Sequence, residues 1–355
     1  MGGGAKIKGV VIYGKEDFRY QEVEIPKIGR EEVLVKVARY GICAADPKIF
    51  HGKAYFSQVA YDHAPIVAGH EFIGEVVELG PGAAEKFNLK VGDKAIAEQI
   101  VPCWECYFCK RGIYNMCDVH EVFGVSGPDG GWAEYIKYPA KSIVWKVPQD
   151  LSYEKAILIE PFACAIHGVQ RANVQLGEVA VIAGAGAIGL LMLEVLKLKH
   201  PQKIVVMEPD DHRREIAQEL GADLVINPLE EDPVEKVKEL TGGLGCDVVL
   251  EASGSPQAVE AAIEMLRRRG RLMEFAVFAK KTCIDFSIIS DVKELEIIGG
   301  HLGAYTYPLA IKYLNEGLVH TEKIATHNFP LPEWRKAIET SESKKNDAIK
   351  VTMTP

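Results

Sequence analysis

Four cysteines lie close together in the first half of the chain. Cys103, Cys106 and Cys109 are each separated by two residues, and Cys117 follows shortly afterwards. This spacing allows one tight loop to place four sulfur atoms at the corners of a tetrahedron, the geometry of a closed zinc site. Because four protein ligands leave no open position, we expect this zinc to stabilise a lobe of the protein and to do no chemistry. The alternative is four unrelated cysteines, which normally scatter along a chain.

A second group of potential metal ligands is more dispersed. Cys43 lies in the segment Gly-Ile-Cys-Ala-Ala-Asp, His70 and Glu71 follow a glycine, and Glu160 precedes a proline. One thiolate, one imidazole and one carboxylate form a ligand set that zinc accepts while it keeps a position for water or substrate. The sequence therefore predicts a catalytic zinc site as well as a structural one, and it leaves open which of the two glutamates binds the metal.

Length and composition limit the class of protein. The 355 residues suffice for two domains, and the chain is 48% hydrophobic and 26% charged, as in ordinary globular proteins. The net charge of −9, without a long basic run, argues against nucleic acid or an anionic membrane as the main partner. No apolar stretch approaches the roughly 20 residues needed to span a bilayer. Cysteines at metal-type spacing favour a reducing compartment, so we expect a cytoplasmic protein.

The hydrophobic pattern changes near residue 150. Before it, short apolar runs such as 32–37 and 72–79, broken by turn residues, indicate a β-rich segment. Beyond it, predicted strands (179–183, 204–208, 224–226, 248–251 and 271–275) alternate with predicted helices (187–198, 212–220, 233–240 and 256–269). This alternation predicts a parallel sheet with helices on both faces. It ends near residues 297–300.

A glycine-rich turn follows the first strand of the alternating segment. Gly184, Gly186 and Gly189 have the spacing GxGxxG, and with Ala187 and Ile188 they open a helix. Such a turn brings the backbone close to a pyrophosphate, which the helix N-terminus stabilises. Further residues expected at the cofactor are Glu208, which ends the second strand, and Arg213. A carboxylate at the second strand accepts from ribose hydroxyls and favours NAD over NADP, whereas a nearby arginine weakens that preference.

The chain resembles the zinc-dependent medium-chain alcohol/polyol dehydrogenases. The motifs that carry the resemblance occur in the order and spacing of that family: Cys43, Gly69-His70-Glu71, the four-cysteine loop, Glu160-Pro161 and Gly184 to Gly189. Segments 97–112 and 286–303 are similar to the erythritol/L-threitol dehydrogenase branch. The resemblance implies a GroES-like catalytic domain (1–158 and 299–355, with the structural zinc loop at about 98–118) and an inserted Rossmann domain (159–298).

The same resemblance implies an activity and its cofactors. These are two zinc ions per chain and NAD, used to oxidise a secondary alcohol of a four-carbon polyol reversibly to a ketose. The family forms homodimers or homotetramers, with Rossmann sheets joined edge to edge near residues 297–300. The expected partners are therefore a small polyol or ketose and further copies of the chain.

Site details follow from the family pattern and from two departures. Asp46 is expected to accept the second ring N–H of His70 and fix its tautomer. Where many relatives carry a hydroxyl and a histidine that relay the proton, this chain has Ala45 and Lys48. We therefore expect the proton to leave through a zinc-bound water held by Glu71 or Glu160. The candidate substrate contacts are Tyr55, Phe56 and His301.

Three alternatives remain at this stage. The first is the same chemistry on a hexitol, a cyclic polyol or ketose, or L-threonine. The second is a protein that binds NAD without catalysis, although the open Cys/His/Glu ligand set argues against it. The third is a zinc-free quinone reductase, whose members commonly lack the four-cysteine loop.

Overall fold

The computed structural model describes residues 6–53, 56–343 and 347–355. Within these ranges the chain forms two compact units. The first contains the described residues up to Glu160, together with Tyr307–Leu318 and the described residues from Ala325 onward. The second contains Pro161–Thr306 and Val319–Ile324. None of the described helices is long and apolar enough to cross a membrane.

The first unit is rich in short strands. Its elements, in chain order up to the first boundary, are β1 Lys6–Gly14, β2 Asp17–Glu24, β3 Val33–Gly41, α1 Ala45–Phe50, α2 Ser57–Asp62, β4 Ile66–Val67, β5 Phe72–Leu79, α3 Ala83–Phe87, β6 Lys94–Ala97, β7 Ile100–Val101, β8 Glu121–Val122, β9 Tyr135–Tyr138, β10 Val144–Val147 and α4 Tyr153–Ala156. The next helix, α5 Ile159–Ala172, contains the boundary: its first two residues belong to the first unit and the rest to the second. The two early apolar runs, 32–37 and 72–79, form β3 and β5, and β3 extends four residues further than predicted.

The second unit contains a six-stranded parallel sheet in its described residues. Its further elements are β11 Val179–Ala183, α6 Ala187–Lys197, β12 Lys203–Met207, α7 Asp211–Glu219, β13 Leu224–Ile226, α8 Pro233–Leu240, β14 Cys246–Glu251, α9 Pro256–Met265, β15 Leu266–Glu274 and β16 Glu296–Gly299. The strand order β13-β12-β11-β14-β15-β16 is that of a Rossmann sheet, with the first strand at the point where the order reverses. The predicted doubly wound fold is confirmed.

One predicted boundary in this unit is wrong. The helix expected over 256–269 ends at Met265, because Leu266 is extended and already pairs with Cys246. The register then shifts before Arg271 pairs with Val248. Helical periodicity cannot reveal this early entry into the sheet, since the three arginines 267–269 suit an exposed helix face equally well.

The chain returns to the first unit through α10 Tyr307–Asn315, β17 Ala325–Pro330, α11 Trp334–Ser343 and β18 Lys350–Thr354. The sequence placed everything after 298 in this unit, but two segments belong to the second one. The Thr306 hydroxyl donates to the Ala163 carbonyl (2.7 Å), and the His320 amide donates to Glu194 (2.8 Å). These bonds keep residues 299–306 and 319–324 with the second unit.

The sheet of the first unit brings distant segments together. Its order is β10-β6-β5-β3-β18-β17, and β9 also pairs with β3. Tyr40 of β3 pairs with Phe72 of β5 and with Met353 of β18. The residues that flank these three strands therefore meet, although they are some 30 to 300 positions apart in sequence.

Candidate active site

Cys43 and the His70-Glu71 pair are positioned by the ends of two neighbouring strands. Cys43 comes two residues after β3, and Glu71 directly precedes β5. The Gly41 amide donates to the Glu71 carbonyl (3.0 Å), which locks the two strand ends together. Gly69 has a φ of 91°, and a Cβ there would collide with the indole of Trp132. Glycine is therefore required in the turn that presents His70.

The metal-binding atoms of three side chains converge at this point. One ligand atom each from Cys43, His70 and Glu71 all lie within 4.8 Å of one another. The side chain of His70 is 11% exposed and that of Glu71 only 2%. Such a buried group of thiol, imidazole and carboxylate is the ligand set expected for an open zinc site.

Asp46 lies beside this group but does not make the predicted hydrogen bond. Its Oδ1 is 3.5 Å from His70 Nδ1, longer than a normal N–H···O bond. Its Oδ2 instead accepts from the Cys43 amide at 2.8 Å, which holds the loop that carries the thiol. Burial raises the pKa of Asp46 to about 6, and the charge of His70 opposes this shift.

His70 is surrounded by negative charge. Burial alone would lower its pKa, but Asp46 and Cys43 outweigh burial and raise the pKa of His70 well above its ordinary value. The negative charge of Glu160 acts in the same direction. A cation is therefore favoured at this point, and a metal ion would replace the proton on His70.

Glu71 forms an ion pair with a buried lysine from the end of the chain. Both carboxylate oxygens lie within ion-pair distance of Lys350 Nζ, which also donates to the Ile42 carbonyl (2.9 Å). Burial would lower the pKa of Lys350, but the charges of Glu71 and Cys43 raise it overall. Lys350 is therefore a fixed positive charge that offsets part of the negative charge of the site.

Glu160, the other candidate glutamate, is held by a side-chain amide. It lies in the first turn of α5 and is 5% exposed. Gln99 Nε2 donates to Glu160 Oε1 at 2.6 Å, and Gln99 Oε1 in turn accepts from the Tyr307 hydroxyl at 2.8 Å. Glu160 therefore accepts from the neutral amide of Gln99, whereas Glu71 is paired with the positive charge of Lys350.

The four-cysteine loop forms a second compact group. The sulfur atoms of Cys103, Cys106, Cys109 and Cys117 lie within 4.8 Å of one another. Backbone amides donate to these sulfurs, for example from Cys103 to Cys117 (3.3 Å) and from Cys106 to Cys103 (3.3 Å). Such bonds, from Cys109 and Asp118, lower the pKa of Cys106 to about 6. They favour thiolates, the form that binds zinc.

A buried glutamate connects this loop to the sheet. Glu98 is 1% exposed and follows β6. Its carboxylate accepts from the Tyr114 hydroxyl (3.0 Å), which belongs to the cysteine loop, and from Trp145 Nε1 (3.0 Å) on β10. Burial raises the pKa of Glu98 to about 7, against the effect of these two donors.

The glycine turn of the second unit has the expected conformation. It follows β11, and Gly186 caps the N-terminus of α6. Glu208 is 3% exposed, and its Oε2 accepts from the Ala185 amide in the turn (2.7 Å). Arg213 is also buried, and its Nη1 would lie 3.8 Å from a Cβ at position 186. Both predicted flanking residues therefore lie at the turn.

Two family descriptions match the chain. "Alcohol dehydrogenase GroES-like domain" covers residues 29–149, and "Zinc-binding dehydrogenase" covers residues 187–316. The chain is 41% identical to erythritol/L-threitol dehydrogenase from Mycolicibacterium smegmatis, over 99% of this chain and 98% of that one. The chain belongs to the zinc-binding alcohol dehydrogenase family.

Other members of this dehydrogenase family are also similar over nearly the whole length. L-threonine 3-dehydrogenase from Pyrococcus horikoshii is 37% identical, over 92% of this chain and 93% of that one. An alcohol dehydrogenase from Escherichia coli CFT073, crystallised with NADH, is 30% identical with a TM-score of 0.88, covering 99% of this chain and 100% of that one. The chain is therefore a dehydrogenase, and the predicted enzyme class is confirmed.

Both metal-ligand groups of this dehydrogenase fit zinc by their chemistry. The cysteine loop supplies four sulfurs; backbone amides lower the pKa of Cys103 and Cys106, whereas burial raises the pKa of Cys109 and Cys117. The Cys43 group supplies sulfur, nitrogen and oxygen, with more negative charge than Lys350 alone can neutralise. A dication is the natural counter-charge for such a buried anionic group.

The predicted substrate contacts are less clearly placed. Tyr55 lies outside the described residues. Phe56 is half-buried and packs against the core of the first unit. The sequence predicts His301 within the catalytic domain, but the structure places it in the second unit. Lys48 is half-buried: burial lowers its pKa, and the nearby charge of Cys43 opposes this shift.

Sequence reasoning missed three polar residues that hold the site: Lys350, Gln99 and Tyr307. Lys350 is a lone charge in the apolar run 348–353, and Gln99 follows Glu98 within the apolar run 95–101. A polar residue interrupting a buried strand pattern is the signal that was available. Their partners could not be read from the sequence, because they lie far away along the chain.

We expect Lys350→Met to lower the free energy of unfolding by about 3–5 kcal/mol, because it leaves the buried Glu71 carboxylate unpaired. Urea unfolding of the zinc-free protein measures this change. Lys6→Met is the matched control, since Lys6 pairs with Glu22 at an exposed site and its loss should leave the free energy of unfolding nearly unchanged. Adding Glu71→Gln should recover part of the loss. Equal effects of the two lysine substitutions would contradict the buried pair.

Glu98→Gln should make stability less dependent on pH. Below about pH 4.5 both folded and unfolded Glu98 are protonated; between that pH and about 7 only the unfolded chain loses the proton, which favours unfolding. As the pH rises through this window, the free energy of unfolding of the wild type should therefore fall by about 3 kcal/mol relative to that of the variant. Glu78→Gln, at an exposed position, is the charge-matched control. Parallel stability curves for wild type and Glu98→Gln would refute the prediction.

Proposed function

We propose that the protein is a zinc-dependent, NAD-linked dehydrogenase that reversibly oxidises a secondary alcohol of a small polyol, of the erythritol or threitol type, to a ketose. The observation that carries the reaction class is the convergence of Cys43, His70 and Glu71 in a chain whose second unit has a dinucleotide-type glycine turn. The substrate class rests on the 41% identity to erythritol/L-threitol dehydrogenase.

In this proposal the catalytic zinc is held by Cys43, His70 and one carboxylate, Glu71 or Glu160. When bound, zinc supplies Lewis-acid polarisation of the substrate hydroxyl, and NAD accepts the hydride. Asp46 holds the Cys43 loop, and Lys350 keeps the charge of Glu71 partly neutralised. The four cysteines of the loop hold the structural zinc.

The cofactor site in this proposal is the glycine turn. Gly184, Gly186 and Gly189, with Ala187 and Ile188 at the start of α6, receive the pyrophosphate at the helix N-terminus. Glu208 and Arg213 flank the adenosine ribose. Glu208 already binds the Ala185 amide, so its remaining lone pairs can accept from ribose hydroxyls. A carboxylate there disfavours the 2′-phosphate of NADP.

The proton leaves by a route that uses a glutamate. Ala45 can neither donate nor accept a proton, which removes the hydroxyl relay that many relatives have. In this scheme Glu160, a buried carboxylate held by the amide of Gln99, accepts the proton. Glu71 takes no part in this step, because its carboxylate is engaged in the ion pair with Lys350.

Two further parts of the proposal concern assembly and location. β16 is the last strand of its sheet, and Ile297 on it is 47% exposed. Among the described strands nothing pairs with its outer edge, which suits joining of two such sheets in a homodimer or homotetramer. Eight cysteine thiols that form no disulfide in the described residues suit a reducing cytoplasm.

Glu160→Gln should reduce kcat by about 100-fold or more, because the amide cannot accept the proton. Lys48→Ala should change kcat only a few-fold, since in this scheme the lysine is not on the proton route. Steady-state kinetics with NAD at saturating polyol measures both. The reverse order, in which Lys48→Ala abolishes turnover and Glu160→Gln barely changes it, would overturn the scheme.

Gly186→Ala should weaken NAD binding by at least about tenfold, because the added methyl group blocks close approach of the pyrophosphate. The fold should tolerate the change, since Gly186 has a φ of −73° and the nearest atom to the new Cβ is 3.8 Å away. Calorimetric NAD titration and a thermal melt separate the two effects. Gly14→Ala, also at an open position, should alter neither. Unchanged NAD affinity in Gly186→Ala would place the cofactor elsewhere.

The direct test is NAD reduction, followed by absorbance, on erythritol, D- and L-threitol, xylitol, sorbitol, myo-inositol and L-threonine, with and without a metal chelator. Turnover of a four-carbon polyol, lost on chelation and restored by zinc, would support the proposal. Turnover with NADP alone would correct the cofactor preference.

A second candidate substrate is L-threonine, favoured by the 37% identity to an L-threonine 3-dehydrogenase. Turnover of threonine without turnover of any polyol would keep the chemistry and replace the substrate. Binding of NAD without turnover of any compound would favour the non-catalytic alternative.

A further inference from the structure

A chain of two hydrogen bonds ends at Glu160. The Tyr307 hydroxyl donates to Gln99 Oε1 (2.8 Å), and Gln99 Nε2 donates to Glu160 Oε1 (2.6 Å). All three side chains are buried, with exposed fractions of 0%, 2% and 5%. The residues come from three separate segments: the start of α10, the residues between β6 and β7, and the first turn of α5.

The direction of these bonds follows from the chemistry of the groups. An ionised carboxylate only accepts hydrogen bonds, so the amide must present its nitrogen to Glu160. Its oxygen then faces Tyr307, which can donate to it. If the amide were reversed, its oxygen would face the carboxylate and two acceptors would meet in a buried place, which is costly. The Tyr307 hydroxyl therefore fixes the orientation of the Gln99 amide.

The backbone around Gln99 is also held in place. The Phe123 amide donates to the Gln99 carbonyl (3.1 Å), and the neighbouring Glu98 amide donates to the Ile143 carbonyl (2.9 Å). The Gln99 side chain therefore starts from a fixed position. The Glu160 carboxylate has little freedom to rotate, because its backbone belongs to α5 and its Oε1 accepts from the Gln99 amide.

The constrained carboxylate lies close to the proposed metal site. The charge of Glu160 acts on both His70 and Lys350, the two cationic groups of that site. Its orientation consequently affects which atoms it can offer to a metal or to a reacting proton. The hydrogen bonds that link Gln99 and Tyr307 to the site run through Glu160.

We propose that Gln99 and Tyr307 are positioning residues, which orient the Glu160 carboxylate for its role at the catalytic zinc. The inference rests on the proposed function and deepens it, since it assigns to this pair the geometry of the glutamate that accepts the proton. Tyr307 is connected to Glu160 through the amide of Gln99, so we expect the two residues to act as one unit.

The test uses Gln99→Leu, Tyr307→Phe and the double variant, each with zinc in the cysteine loop and Co²⁺ in the catalytic site. Cobalt absorption reports the ligand geometry whether or not a substrate is known. Tyr138→Phe is the matched control, because it removes another fully buried tyrosine hydroxyl of the same unit, bonded to the Ala95 carbonyl. Thermal melts identify any variant that fails to fold.

In Gln99→Leu we expect a changed cobalt spectrum and a loss in kcat of about 10- to 100-fold, with the KM for NAD unchanged. Tyr307→Phe should give a smaller loss in the same direction, and the double variant should resemble Gln99→Leu alone, because coupled residues are not additive. Tyr138→Phe should change neither the spectrum nor kcat.

Different outcomes separate the positioning role from the proposed function. A wild-type cobalt spectrum retained in folded Gln99→Leu, or losses that simply add in the double variant, would overturn the positioning role. A shifted spectrum in a protein that turns over no polyol would support it while the substrate assignment fails. Wild-type protein that takes up no cobalt at Cys43 and His70 would overturn both.

Discussion

The concentration of buried negative charge around His70 is the constraint on which the arrangement of the neighbouring residues in the first unit depends. Four acidic groups interact electrostatically with His70 or Lys350: Cys43, Asp46, Glu71 and Glu160. Three of them, Asp46, Glu71 and Glu160, are almost fully buried. Isolated charges in such surroundings are very unfavourable, so each group needs a partner. The protein meets this need with one buried lysine, with directed hydrogen bonds, and with a ligand set that fits a dication.

The two glutamates at the site differ in how they are held. Glu71 forms an ion pair with the positively charged Lys350, whereas Glu160 accepts a hydrogen bond from the neutral amide of Gln99. Two carboxylates near one metal can therefore have different roles, because they are held by different kinds of partner. Two neighbouring residues, Glu98 and Gln99, also serve the two metal sites separately: one anchors the cysteine loop and the other anchors Glu160.

The second unit follows its sequence pattern closely. The glycine turn, the strand before it and the helix after it lie where the motif predicts them, at the reversal point of the sheet. The prediction from the hydrophobic pattern was wrong where the same residues suit both a helix and a strand. At 266–269 the arginines suit an exposed helix, but pairing of Leu266 with Cys246 starts a strand. The late boundary was misplaced for a similar reason, since bonds such as Thr306 to Ala163 join residues 143 positions apart.

The sequence by itself determined the fold class, the position of the glycine turn and both groups of candidate metal ligands. These features depend on local spacing and periodicity: two-residue gaps between cysteines, GxGxxG after a strand, and alternation of strands with helices. Only the tertiary structure decided how the ligands are held. The pairing of Lys350 with Glu71 spans 279 positions and that of Tyr307 with Gln99 spans 208. Such partners are chosen by the sheet register that places β18 beside β3 and by the packing of α10 in the first unit, which no local pattern encodes.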